Sequence, residues 1–207
     1  MPSYPSPYIL LRSGARFYYE RQELNAGNIR LADIVSGLRQ PRYTGQTEEL
    51  YTIAQHAILV AEILESWGCD AYTAYMGLHH DDHEAVIGDL PSPMQWWLRG
   101  ALQPYLKLEH EGFDLIAWAK NELDKQIMPA MGIAWPPQEG LWALVKEADY
   151  SAFLCESEQL FLEPPRWTNE RRVRLVDKHI SVMSPSEAVV AYLGKHHSVA
   201  QTCGIGL

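Results

Sequence analysis

Six consecutive side chains, His79-His80-Asp81-Asp82-His83-Glu84, can each bind a metal or carry a proton. A packed core has no use for such a run, and a solvated face would be built from Lys and Glu rather than three histidines. The fold therefore has to gather these groups around something polar. Imidazole and carboxylate together suit a borderline or hard divalent cation that activates water. Such a site needs more ligands from elsewhere in the chain.

The rest of the sequence supplies helices to carry them. Ile53, Ala57, Val60, Ala61 and Leu64 form an apolar stripe at helical spacing, ended by Gly68. The helical pattern starts at Thr47, a candidate cap followed by Glu48 and Glu49. A second helix is predicted over Asp70 to Asp82. Others are predicted over Asn28 to Gly37, Pro93 to Lys107, Leu108 to Met131, Gln138 to Phe161 and Pro185 to His196, punctuated by Pro136-Pro137 and Pro164-Pro165. Near the start, Tyr8 to Leu11 and Arg16 to Tyr19 flank a Gly14 turn and read as a short β-hairpin. The expected fold is all-α with a small N-terminal hairpin. It is one domain over residues 1–207, with 1–20 forming the hairpin region and 198–207 a loose tail.

Composition narrows the function. The net charge of -9 leaves no basic surplus to neutralise a nucleic-acid backbone, so no nucleic-acid partner is expected. The three cysteines, Cys69, Cys155 and Cys203, are widely spaced without a CxxC, which fits a reducing compartment and argues against thiolate-bound zinc. No apolar run is long enough to span a bilayer and no signal-peptide pattern opens the chain, so a soluble cytoplasmic protein without a membrane partner is expected.

Two further residues, His56 and Asp149, complete a ligand set with His80 and Asp81. His56 lies on the stripe of Ile53, Val60 and Leu64; alone it reads as a core histidine. Asp149 sits at helical spacing from Trp142, Val145, Ala152 and Phe153. A carboxylate on such a stripe needs a partner, either a salt bridge or a metal. His80 and Asp81 diverge by ~100° on a regular helix but can converge where a helix end loosens. His56, His80, Asp81 and Asp149 come from three predicted helices, the way a bundle builds an internal metal site. The set admits zinc, cobalt, manganese, magnesium or iron.

This pattern resembles the HD-domain metal-dependent phosphohydrolases. The stretch His80-Asp81-Asp82-His83-Glu84-Ala85-Val86-Ile87-Gly88-Asp89-Leu90-Pro91-Ser92-Pro93 is similar to the HDxxEAxxGDxPxP form of their 5'-deoxynucleotidase branch. Tyr51 to His56, Ser13 to Phe17 and Pro41 to Gly45 resemble a phage sub-branch that includes dATP triphosphohydrolases. The resemblance spans Ser13 to Glu156. It implies an HD-type helical bundle, a divalent metal ion on His56, His80, Asp81 and Asp149, and a small nucleotide substrate. It implies hydrolysis of dATP to deoxyadenosine and triphosphate in phage infection, in the host-cell cytoplasm, by a homo-oligomer, dimer or hexamer. Glu84 would handle a proton one turn after His80, and Asp89 would sit near the water or leaving group, although a Gly-Asp-x-Pro turn explains Asp89 equally well. Arg42, Tyr43 and Gly45 would contact phosphate and sugar, although Arg42 reads equally as a surface loop residue. The pattern's usual Lys is replaced by Gln95, so that phosphate contact is either missing or supplied by Arg99, Lys107 or Lys146. His83 is either an outer partner, a ligand of a second metal, or a cover for the site. Trp96 and Trp97 read as packing or a subunit contact. The other readings are a deoxynucleoside-monophosphate 5'-nucleotidase, a dNTPase of broad base range, and a non-catalytic metal or nucleotide module.

Overall fold

The computed structural model describes residues 7–20, 23, 25, 27–102, 114–163 and 174–206. Helix α2 (Ile53–Ser66) is its axis. Eleven of its fourteen residues are buried, so it is apolar nearly all round and must be enclosed. The enclosing helices are α3 (Ala71–Leu78), α7 (Glu139–Gln159) and α8 (Pro185–Cys203), and α3 also packs on α7 and α8. Around this centre lie α1 (Leu31–Gly37), the single-turn α4 (Glu84–Ile87), α5 (Ser92–Leu102) and α6 (Leu115–Ala130). Two strands, β1 (Tyr8–Leu10) and β2 (Arg16–Tyr18), form the expected antiparallel hairpin, with Ile9 opposite Phe17. Phe17 is buried in the core, and the hairpin turn is tied to α1 by Ser13, whose N–H and Oγ donate to Asp33 at 2.7 and 2.8 Å. The fold is thus all-α with a small N-terminal hairpin. No helix among the described residues is long and apolar enough to cross a membrane.

Several boundaries differ from the sequence reading, each for a local reason. Helix α2 begins at Ile53 rather than near Thr47. Thr52 is the cap, its Oγ1 accepting from Gln55 N–H at 3.2 Å, while Thr47 donates to the carbonyl of Glu49. Helix α3 starts where Asp70 caps Thr73 but ends at Leu78, so the run from His79 to His83 forms turns rather than helix. Helix α1 starts at Leu31 instead of Asn28, and α6 starts after the Asp114 cap instead of at Leu108, itself outside the described residues. The loose tail expected over 198–207 is helical as far as Cys203, where α8 ends. This helix opens with a Ser184–Glu187 capping box and Pro185, and closes at Gly204 in the left-handed region. Val199 and Ala200 are buried against α3, which is why it does not fray. Pro164-Pro165 and Lys107 lie outside the described residues.

Two glycines set close approaches that position the site. A Cβ on Gly77 would lie 2.4 Å from Leu64 Cδ1, so Gly77 lets α3 press against α2. A Cβ on Gly37 would lie 2.4 Å from the Ala85 carbonyl oxygen, so Gly37 lets α1 press against α4.

Candidate metal centre

The break after Leu78 brings His80 and Asp81 together. As the helix gives way to turns, the His80 ring and the Asp81 carboxylate swing to the same side, with Nε2 3.1 Å from Oδ2. Helix α2 brings His56 to the same place, its Nε2 3.8 Å from Asp81 Oδ2. From α7, Asp149 Oδ1 lies 3.2 Å from His56 Nε2 and 3.6 Å from His80 Nε2. One ligand atom from each of His56, His80, Asp81 and Asp149 falls within 4.8 Å of the others. The four residues predicted as a set therefore converge, His56 and Asp149 from helices as expected and His80 and Asp81 from the turn after α3.

The orientation of each imidazole is set from behind. His80 Nδ1 lies 2.7 Å from the Gly77 carbonyl oxygen, and His56 Nδ1 2.6 Å from Glu156 Oε1. A carbonyl or carboxylate partner requires the proton on Nδ1, which turns the Nε2 lone pair to the cluster. Both Nε2 atoms are buried without a hydrogen-bond partner in the structure. Orphaned buried polar atoms are rare because each costs free energy. Two of them facing two carboxylates fit a divalent cation. Charge agrees: burial favours a neutral ring at His80, yet Asp81 and Asp149 outweigh burial and raise its pKa to about 10. The pocket wants positive charge beside those carboxylates.

Glu156 is the part of the centre that sequence reasoning missed. It is fully buried, and it accepts from His56 at Oε1, from Tyr51 OH at 3.0 Å, from Arg42 Nε at 3.2 Å and from Tyr43 OH. The signal was available. Glu156 stands seven residues after Asp149 on α7, two turns along the same face, beside the buried Ala152 and Cys155.

The Arg42–Gly45 loop is folded over this carboxylate. Arg42 is buried, with Nη1 3.8 Å from Asp81 Oδ2, so it is no surface loop arginine. Tyr43 and Thr44 both adopt left-handed backbone, φ 56° and 54°, a conformation costly for residues with a Cβ. Asp89 Oδ2 accepts from the Tyr43 N–H at 2.6 Å and clasps the loop in that state. Gly45 completes the turn at φ 71°. The Tyr43 ring packs near Phe153 and Phe161 and under the Arg42 guanidinium. Lys146 is half-exposed, 3.5 Å from Asp149 Oδ2. Arg99 is engaged with the α6 cap residue Asp114 at 2.7 Å.

Glu84 opens α4 next to the cluster and is buried. Its Oε1 lies 3.4 Å from Lys120 Nζ, and its Oε2 has no hydrogen-bond partner. Burial, helped by Asp81, raises the Glu84 carboxyl to about 7 against the pull of Lys120, Arg42 and His83. Such a group can give or take a proton near neutrality. Lys120, a cation on α6, was not foreseen.

The run from His79 to Glu84 faces two ways. His79 and Asp82 point away from the cluster and bond to each other at 2.6 Å. His79 Nε2 meets His196 Nδ1 at 3.0 Å, and Tyr192 OH donates to Asp82 Oδ1 at 2.9 Å, so both residues fasten α8 beneath the site. His83 turns to α6, with Nδ1 2.8 Å from Asp124 Oδ1.

No protein-family model matches the chain. Among curated proteins it is similar to the uncharacterized protein YfdR of Escherichia coli (strain K12), 30% identical over 105 residues. That stretch is 50% of this chain and 53% of YfdR, so the chain spans about half the length of the curated relative it matches. The fold and the buried His and Asp cluster together are compatible with a metal-dependent hydrolase.

Proposed function

We propose that this chain is an HD-type metal-dependent phosphohydrolase that hydrolyses dATP to deoxyadenosine and triphosphate. The observation that carries the reading is the pair of buried, unpartnered Nε2 atoms of His56 and His80 facing Asp81 and Asp149. The motif from His80 to Pro93, and its likeness to deoxynucleotide hydrolases, supports the choice of substrate class.

When bound, a divalent ion supplies Lewis-acid activation of water and of a phosphoryl oxygen. His56, His80, Asp81 and Asp149 would hold it. Glu84 takes up the proton lost by the attacking water at its free Oε2. Water oxygen joins the α-phosphorus, the bond from that phosphorus to the 5'-oxygen breaks, and Glu84 passes the proton it took to that oxygen as the nucleoside leaves. Arg42, held by Glu156, keeps a positive charge beside Asp81 for a phosphate, and Tyr43 offers its ring edge to the sugar. Asp89 acts by fixing that loop. Lys146 and Lys120 are the cations at hand on α7 and α6 for the remaining phosphate charge, in the absence of a Lys at Gln95. One domain, a cytoplasmic setting and self-association into a dimer or hexamer complete the proposal.

Purified protein incubated with each dNTP, NTP and dNMP across a panel of divalent ions tests it. The expected result is intact triphosphate from dATP. Release of inorganic phosphate from dNMPs instead would move the protein to the 5'-nucleotidases, and equal turnover of all four dNTPs would remove the adenine preference. Tight dATP binding without any product would make it a binding module.

A further inference from the structure

Beside the first cluster is a second set of ligand atoms. Asp81, His83 and Glu84 each offer one atom within 4.8 Å of the others, and all three residues are buried. Acidic groups alone would not make this a site. The additional observation is that His83 Nε2 and Glu84 Oε2, each in a residue only 3% exposed, have no hydrogen-bond partner in the structure. His83 is also held in the manner of a metal-ligating imidazole. Asp124, itself 6% exposed, accepts from Nδ1 at 2.8 Å, which leaves the lone pair on Nε2 available to an ion. The carboxylates of Asp81, Glu84 and Asp124 are opposed locally by Lys120 and Arg42, three negative groups to two positive, so the pocket favours added positive charge. Asp81 belongs to both sets, so the two lie side by side and share one carboxylate.

We propose that Asp81, His83 and Glu84 form a second, weaker site for a divalent transition-metal ion, oriented by Asp124, and that filling it inhibits the enzyme. One imidazole and two carboxylates suit manganese or a similar ion better than calcium, which prefers six or more oxygens. Ligation through Glu84 Oε2 and proton transfer at the same oxygen exclude each other. Occupancy of the second site therefore removes the proton-transfer group. This inhibitory role rests on the phosphohydrolase reading above; binding of the ion does not.

Equilibrium dialysis of metal-free protein against Mn2+, followed by metal analysis, gives the stoichiometry. Two ions per chain are expected in the wild type, one in His83→Ala and one in Asp149→Ala, with circular dichroism establishing that each variant is folded. Asp124→Asn, which keeps the shape of the site, should weaken the second ion about 10–100-fold. Hydrolysis should fall over the Mn2+ range in which the second ion binds. A single ion in the wild type, or two in His83→Ala, would overturn the second site. If that single ion is lost in Asp149→Ala, the phosphohydrolase reading stands without it; if the wild type binds none, both fall. A constant rate across the range of second-ion binding would overturn the inhibitory role.

Discussion

At the scale of single residues, Glu84 and Glu156 do different work with the same carboxyl group. Glu84 has one oxygen near Lys120 and one unpartnered, and burial raises it to about 7. Glu84→Gln keeps the shape and removes the proton transfer. The rate should fall about 10²–10⁴-fold while the ion on His56, His80, Asp81 and Asp149 is retained; wild-type turnover in this variant would refute the role. Glu156 accepts four hydrogen bonds and balances the buried Arg42. Burial opposes its charge, but His56 and Arg42 outweigh burial and hold it below the usual carboxylate range. Glu156→Gln strands Arg42 and should cost about 3–5 kcal/mol in denaturant unfolding. It should also weaken the metal about 10–100-fold by replacing the charged acceptor behind His56 Nδ1 with a neutral one. Unchanged stability and metal affinity would refute the account of Glu156. Of the four candidate ligands, His80 and Asp81 were legible from the run of ligand-type side chains, and His56 and Asp149 because a His or Asp on an apolar stripe is conspicuous. Glu156 was not, because Ser157 and Glu158 beside it suggest a solvated face and mask its seven-residue spacing from Asp149 until its partners from α2 and the Arg42 loop are brought to it.

At the scale of elements, the informative event is a helix that stops. Hydrophobic periodicity carries α3 on to Asp82, but the chain leaves the helix after Leu78, and this loosening lets adjacent residues share one focus. The first and fourth residues of the run are thereby released to hold α8. The group at that junction is His196, in contact with His79 and Tyr75 and beside the Tyr192–Asp82 pair and His197. Burial, reinforced by His79 and His197, lowers its pKa to about 4. An unfolded chain takes up this proton near ~6.5. The folded chain resists it, so stability is full above that value and is lost as pH falls from about 6.5 toward 4. In urea unfolding of metal-free protein, His196→Gln should remove about 2–3 kcal/mol of that acid-side loss. An identical pH slope in variant and wild type would show that His196 does not carry it. Periodicity also ended α8 too early, since Ser198 and Gln201 look like the start of a tail, whereas burial of Val199 and Ala200 continues the helix to Cys203.

For the whole molecule, the helical class and the N-terminal hairpin were legible from apolar stripes and a glycine turn, because these signals are local. The arrangement of α2 inside α3, α7 and α8 was visible only indirectly, through the apolar surround of α2. That arrangement makes the centre one structure: His56, the turn after α3 and Asp149 meet only if three helices pack in this order. The central claim is that this meeting point binds a divalent ion and that nucleotide hydrolysis depends on it. The direct test is to measure bound metal and dATP hydrolysis together in wild type and in His80→Ala/Asp81→Ala, each stripped and reloaded. The account predicts metal and activity restored together in the wild type and both absent from the variant. Full hydrolysis by the stripped variant would contradict it.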